Sequence, residues 1–211
     1  TNDNKPATEE YRLSDDLLMG LRFFSLLPTG AAAHQRPTLS RIALALAFTS
    51  LVIGALPAAV LLGLEWLAVP HYFAAAVAVA ALVIVTGAMA EDALADAADG
   101  LFGGHDIDSR LAIMKDSRHG TYGVCAIALL LGLRITAIGS IASPLAAAGV
   151  WLAATVMARS GALWLTVVLP PARIGGAAAT AGQVSRQAFG VGAVFMVVLS
   201  FVLAAFAVSV F

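Results

Sequence analysis

Phe73-Ala-Ala-Ala-Val-Ala-Val-Ala-Ala-Leu-Val-Ile-Val-Thr-Gly-Ala-Met-Ala90 runs directly into Glu91-Asp-Ala-Leu-Ala-Asp-Ala-Ala-Asp-Gly100. The first part is uncharged and long enough to be read as a membrane-crossing helix. The second holds four of the chain's thirteen carboxylates within nine residues. On a helix Asp92, Asp96 and Asp99 stand at i, i+4 and i+7, which is one face. Like charges at that spacing repel, so something positive has to offset them. A hard divalent cation held through oxygen ligands is the natural counter-charge. The plainer reading is a solvated acidic helix end. Two facts weigh against it: acids at the end of an apolar helix are costly near lipid, and a basic segment follows.

The rest of the 211-residue chain is equally apolar, 60% hydrophobic and 12% charged, with a mean hydropathy of +0.91. These values indicate an all-α, polytopic membrane bundle in a single transmembrane domain, 1–211. Five spans are predicted, at 42–67, 73–99 (apolar to 90, then a helical extension), 122–141, 145–169 and 188–211. Ahead of them, Ser14 to Leu27 reads as a short interfacial helix ending at Pro28, with Ser14 as N-cap and Asp15 and Asp16 in its first turn. The segment 28–37 is a loop. Ala43, Ala45, Ala47, Gly54 and the run 146–149 suit close helix packing. Cys125 is the only cysteine, which excludes a disulfide within the chain; its apolar setting predicts a packing role. The N-terminus lacks the basic-then-apolar order of a signal peptide. Neither end looks native: there is no initiator Met, and the chain stops at Phe211 inside an apolar run, as expected of a trimmed sequence.

Charge distribution orients the spans. Lys5, Arg12, Arg22, Arg36 and Arg41 precede the first, and Ala68 to Tyr72 carries no Lys or Arg. Arg110, Lys115 and Arg118 follow the second, Ala142 to Pro144 carries none, and Arg173 and Arg186 follow the fourth. This alternation predicts a cytoplasmic N-terminus, with the acidic stretch on the cytoplasmic side.

Two further features carry chemistry. Gly103-Gly104 breaks the acidic helix, after which His105 to His119 reads as a short amphipathic helix with Ile107, Leu111 and Met114 as its stripe. Lys115, Arg118 and His119 cluster beside Asp116, and cations of this kind bind phosphate. Anchoring of a loop to lipid headgroups would use the same residues. Next to a carboxylate cluster the phosphate reading gains, because metal plus cationic clamp is how phosphoryl chemistry is neutralised. The second feature is Arg134 and Arg159, near the middles of the third and fourth spans. A charge at that depth faces a cavity or a partner; the structural alternative is an ion pair with Glu65 or Asp92. His34 and His71 are read as isolated loop residues, and Gln183, Ser185 and Arg186 as a weak polar group.

The acidic motif, followed by Leu111-Ala-Ile-Met-Lys-Asp-Ser-Arg-His-Gly-Thr-Tyr-Gly123, resembles the cobalamin synthase family, the membrane-bound adenosylcobinamide-GDP ribazoletransferases. Phe23 to Pro28, Arg134, Arg159 and Leu169-Pro-Pro-Ala-Arg173 match more weakly. The resemblance implies transfer of the adenosylcobinamide-phosphate moiety from adenosylcobinamide-GDP to α-ribazole or its 5′-phosphate, with release of GMP. It implies Mg²⁺ as cofactor and a site at the cytoplasmic face of the bacterial inner membrane. It assigns Asp92, Asp96, Asp99 and Glu91 to metal, Asp96 and Asp116 to catalysis, and Lys115, Ser117, Arg118, Arg134, Arg159 and Arg173 to phosphate or substrate. The expected partners are the two substrates and the lipid bilayer, with no nucleic acid, and either a homo-oligomer or other cobalamin-assembly enzymes. The chain departs from the family pattern at Ala90, where His is usual, and at Ala93, where Gly is usual. It is also expected to lack the family's C-terminal segment. Two other classes compete: a CDP-alcohol phosphotransferase, whose Asp-x-x-Asp-Gly opening is met at Asp96 to Gly100 but fails at Gly103 and Gly104, and a cation or proton transporter, which would need mid-span acids and internal repeats.

Overall fold

The computed structural model describes residues 13–30, 38–173 and 175–210. The helices are α1 (Leu13–Phe24), α2 (Leu39–Trp66), α3 (His71–Thr86), α4 (Met89–Gly103), α5 (Ile107–Ile113), α6 (Thr121–Gly139), α7 (Pro144–Ala162), α8 (Trp164–Val168), α9 (Ala177–Ala181) and α10 (Arg186–Ser209), and no strand occurs among the described residues. Among the described residues four segments are long and apolar enough to cross a membrane, α2, α6, α7 with α8, and α10, and the bent pair α3–α4 makes a fifth when taken as one span. Lys5, Arg12, His34 and Arg36 lie outside the described residues.

The predicted continuous helix over 73–99 is broken. α3 stops at Thr86, and α4 leaves at 87° to it. The cause is local: Gly87 and Ala88 take φ of 61° and 57°. Their amides close the end of α3, Gly87 onto the Ile84 carbonyl and Ala88 onto the Val83 carbonyl. Glycine adopts that left-handed conformation without strain. Ala88 does not, and holding it there costs about 1–2 kcal/mol. The acidic helix therefore turns across the axis of the apolar one instead of prolonging it.

The core forms where α2, α3 and α7 meet. Ile53, Leu61, Ala74, Ala75, Ala78 and Trp151 are buried there, joined by Leu21 of α1. The small residues of α2 and α7 pack as predicted: Ala43, Ala45, Ala47, Ala146, Ala147 and Ala148 are all buried. Such side chains let helix backbones approach closely. α10 packs closely on α2: a Cβ built on Gly192 would sit 2.2 Å from the Ala43 carbonyl oxygen. Gly192→Ala is accordingly expected to force α10 off α2 and destabilise the bundle by about 1–3 kcal/mol, read as a lower melting temperature in detergent. An unchanged melt would show that this contact relaxes freely.

α1 is held to α2 by Asp16, a buried carboxylate that accepts from Arg41 Nε at 2.7 Å. Cys125 is exposed on α6 rather than packed. Its helix buries only 17% of its most apolar window, so most of that apolar surface faces outward, as lipid contact allows. His71 is not isolated either: its Nδ1 contacts Glu65 Oε1 across the α2–α3 connection, so the partner of Glu65 is His71 and not Arg134 or Arg159.

Candidate active site on α4

α4 carries its acids on different sides. Asp92 is exposed and Asp96 half-buried, while Glu91 and Asp99 are buried. One carboxylate oxygen from each of Asp92 and Asp96 and one ring nitrogen of His119 lie within 4.8 Å of one another. His119 Nε2 is 3.8 Å from Asp92 Oδ1. Two carboxylates and an imidazole at that spacing form a donor set that fits a divalent cation. The i, i+4 spacing identified the two acids. The sequence places His119 among the phosphate-binding cations, and its position beside Asp92 follows from tertiary structure.

Asp99 shares the helical face but is engaged elsewhere. It accepts from Gly120 N–H at 2.6 Å and Gly123 N–H at 2.9 Å. It thus caps α6, whose own N-cap, Gly120, has no side chain to do so. An anion suits a helix N-terminus. The approach is close: a Cβ on Gly120 would lie 2.5 Å, and on Gly123 2.4 Å, from an Asp99 oxygen. The Gly120-Thr-Tyr-Gly123 spacing in the sequence was the overlooked signal. Because His119 precedes Gly120, this clasp also sets His119 against α4.

The predicted helix over 105–119 is shorter. Asp106 and Ser109 form a capping box that starts α5, and Met114 to Gly120 is a non-helical connection. In it Asp116 accepts from Arg118 at three donors: the backbone N–H at 3.0 Å, Nε at 3.0 Å and Nη2 at 2.7 Å. The Arg118 guanidinium holds the Asp116 carboxyl down at about 2. This pair therefore persists at neutral pH and is lost only as pH falls toward about 2. Lys115 and Ser117 are exposed in the same segment. Arg173 donates from Nη2 to the Leu111 carbonyl, tying the 169–173 loop to α5. Gln183 Nε2 donates to the Leu169 carbonyl at 3.3 Å, and Ser185 caps α10 through Ala188 N–H.

Arg134 and Arg159, both half-buried, stand apart from the aspartates. Arg134 Nη1 donates to Glu91 Oε1 at 2.5 Å, so its acid partner is Glu91, not Glu65 or Asp92. Arg134 and Arg159 both line a cavity of about 590 Å³ between α3, α4, α6 and α7, walled on α4 by Met89, Ala90 and Ala93. Asp92, Asp96 and Asp99 do not line it.

A model of the cobalamin-5-phosphate synthase family matches residues 16–211. The chain belongs to this family. Similar proteins include adenosylcobinamide-GDP ribazoletransferases from Azorhizobium caulinodans, 42% identical over 183 residues (84% of this chain, 69% of the relative), and from Xanthobacter autotrophicus, 48% identical over 148 residues (68% and 55%). A third, from Sinorhizobium medicae, is 36% identical over 214 residues (92% and 78%). No solved structure matches. Membership in the cobalamin-5-phosphate synthase family does not support the CDP-alcohol phosphotransferase or transporter readings. Ala90 and Ala93, where the resemblance leads one to expect His and Gly, both line the arginine cavity, which Asp92 and Asp96 do not.

Proposed function

We propose that this chain carries out the reaction named by its relatives. The adenosylcobinamide-phosphate group of adenosylcobinamide-GDP passes to a hydroxyl of α-ribazole or of its 5′-phosphate. A new phosphorus–oxygen bond forms at the corrinoid-side phosphorus, the diphosphate bridge breaks, and GMP leaves. The carrying observation is the convergence of Asp92, Asp96 and His119 on the exposed side of α4.

Asp92 and Asp96 would hold Mg²⁺, with His119 as third donor. When bound, the cation would neutralise charge on the diphosphate and the leaving phosphate. Asp99 acts as a positioning residue that fixes the 119–123 turn against α4. Lys115 and Arg118 meet the phosphates as exposed cations. Asp96 takes the proton of the attacking hydroxyl. Asp116 is a poor base, because a carboxyl held at about 2 has little proton affinity at neutral pH. Asp116→Asn is expected to loosen the turn and lower the rate by roughly tenfold, leaving the acid limb of the pH–rate profile in place. Loss of that limb would instead make Asp116 the base.

The site faces the cytoplasm of the bacterial inner membrane in this reading, on the strength of the Lys/Arg alternation. Cysteines placed at the exposed positions Asp108 and Leu67, in a Cys125→Ala background, should react with an impermeant thiol reagent from opposite sides. Labelling of Asp108→Cys from outside intact cells would reverse the topology.

The direct test of the reaction is GMP release by the purified chain in nanodiscs, given adenosylcobinamide-GDP, Mg²⁺ and each acceptor in turn. GMP with formation of a ribazole-linked corrinoid is expected. No release with either acceptor would remove the activity from this chain.

A further inference from the structure

None of the residues given a role in the transfer above lines the cavity inside the α3–α4 bend. We propose that it binds a phosphate group carried on an apolar body, with Arg159 as the counter-ion. The charges are unbalanced. Arg134 and Arg159 bring two positive charges, and Arg134 is matched by Glu91. Arg159 Nη1 is buried and finds no acceptor among the described residues. Its guanidinium carbon lies 5.9 Å from the centre of the Phe24 ring, which supplies no acceptor for a hydrogen bond. A buried donor in this state calls for a ligand.

The walls define the rest of the ligand. They are apolar, including Phe24, Leu82, Ile138 and Trp151. The volume of about 590 Å³ lies within the usual range for small-molecule sites. The hydroxyls of Thr86 and Thr155 donate to carbonyls of their own helices, so neither competes with Arg159 for an anion. A carboxylate has two oxygens and satisfies one guanidinium fork. A phosphate has enough to engage Arg159 and the N–H groups of Arg134 that Glu91 leaves over. The side walls Ala137 on α6 and Val150, Ala154 and Ala158 on α7 are exposed. The opening therefore lies between two helices that both qualify as membrane spans, where an amphiphile would enter. Two sources carry this chemistry: an anionic phospholipid, and the α-ribazole 5′-phosphate of the proposed reaction. Only the second rests on that reaction.

Trp151 lines the cavity, whereas Trp66 and Trp164 are exposed. A Trp66→Phe/Trp164→Phe protein in zwitterionic nanodiscs therefore reports from the cavity alone. One arm titrates α-ribazole 5′-phosphate; the other compares brominated phosphatidic acid with brominated phosphatidylcholine. A saturable change in Trp151 emission is expected in at least one arm, and the responding arm names the source. Arg159→Leu should weaken it roughly tenfold or more, and Arg159→Lys less, since the charge remains. Ala154→Phe should weaken it too, by filling the cavity while leaving every charge in place. That variant decides the matter if Arg159→Leu does not fold. No saturable response in either arm, or a response that Ala154→Phe and Arg159→Leu leave unchanged, overturns the proposal. Binding is read without turnover, so its failure is distinct from failure of the transfer reaction.

Discussion

Asp96→Asn is expected to lower GMP release by about 100-fold or more while leaving the melting temperature close to that of the parent. Asp96 is half-buried on α4, one turn from Asp92, and one of its oxygens converges with Asp92 and His119 within 4.8 Å. An amide there keeps one oxygen but loses the charge that holds a hard cation. It also loses the group proposed to accept the hydroxyl proton. Removing one of two mutually repelling carboxylates costs the fold little and can even relieve it. A variant that releases GMP at the parental rate would take Asp96 out of the site.

Gly123→Ala is expected to damage both fold and activity through a single methyl group. The new Cβ would lie 2.4 Å from Asp99 Oδ2, 3.0 Å from the Ala95 carbonyl oxygen and 3.1 Å from the Ala95 Cβ. The Ala95 contacts involve packed backbone of α4 and cannot swing away. Overpacking of this kind costs about 1–3 kcal/mol, and breaking the Asp99 hydrogen bonds to Gly120 and Gly123 adds about 1–3 kcal/mol for a charged acceptor. Because the same clasp sets His119 against Asp92, GMP release should fall with it. Thermal melts and turnover of the variant, compared with Asp99→Asn, give the check. A parental melt together with parental turnover would mean that the turn is free to move.

Much of the fold is legible in the amino-acid sequence. The apolar runs located α2, α6, α7 and α10, and helical spacing put Asp92 and Asp96 side by side. What hydropathy could not show was direction. One glycine lowers the mean of an apolar window only slightly, so 73–99 reads as one helix although Gly87 in the left-handed region ends α3 and α4 leaves at 87°. Periodicity put Asp99 with the other aspartates, but which group meets a carboxylate depends on another element, here the N-terminus of α6. The same limit applies to Arg134, whose partner Glu91 stands 43 residues away, and to Cys125, where an apolar neighbourhood did not distinguish a packed face from an outward one. His119 joined the site because the Asp99 clasp holds the residue next to it.

Mn²⁺ binding followed by electron paramagnetic resonance tests most directly whether α4 is a metal-dependent catalytic face. The chain in nanodiscs, with and without the Asp92→Asn, Asp96→Asn, His119→Ala and Asp99→Asn substitutions, is titrated with the ion in the absence of substrate. Saturable binding by the parent is expected, lost or weakened roughly tenfold or more in the first three variants and weakened less in Asp99→Asn, which loosens the clasp behind His119 but removes no donor. Binding that survives Asp92→Asn and Asp96→Asn, or that Asp99→Asn alone abolishes, would contradict the assignment.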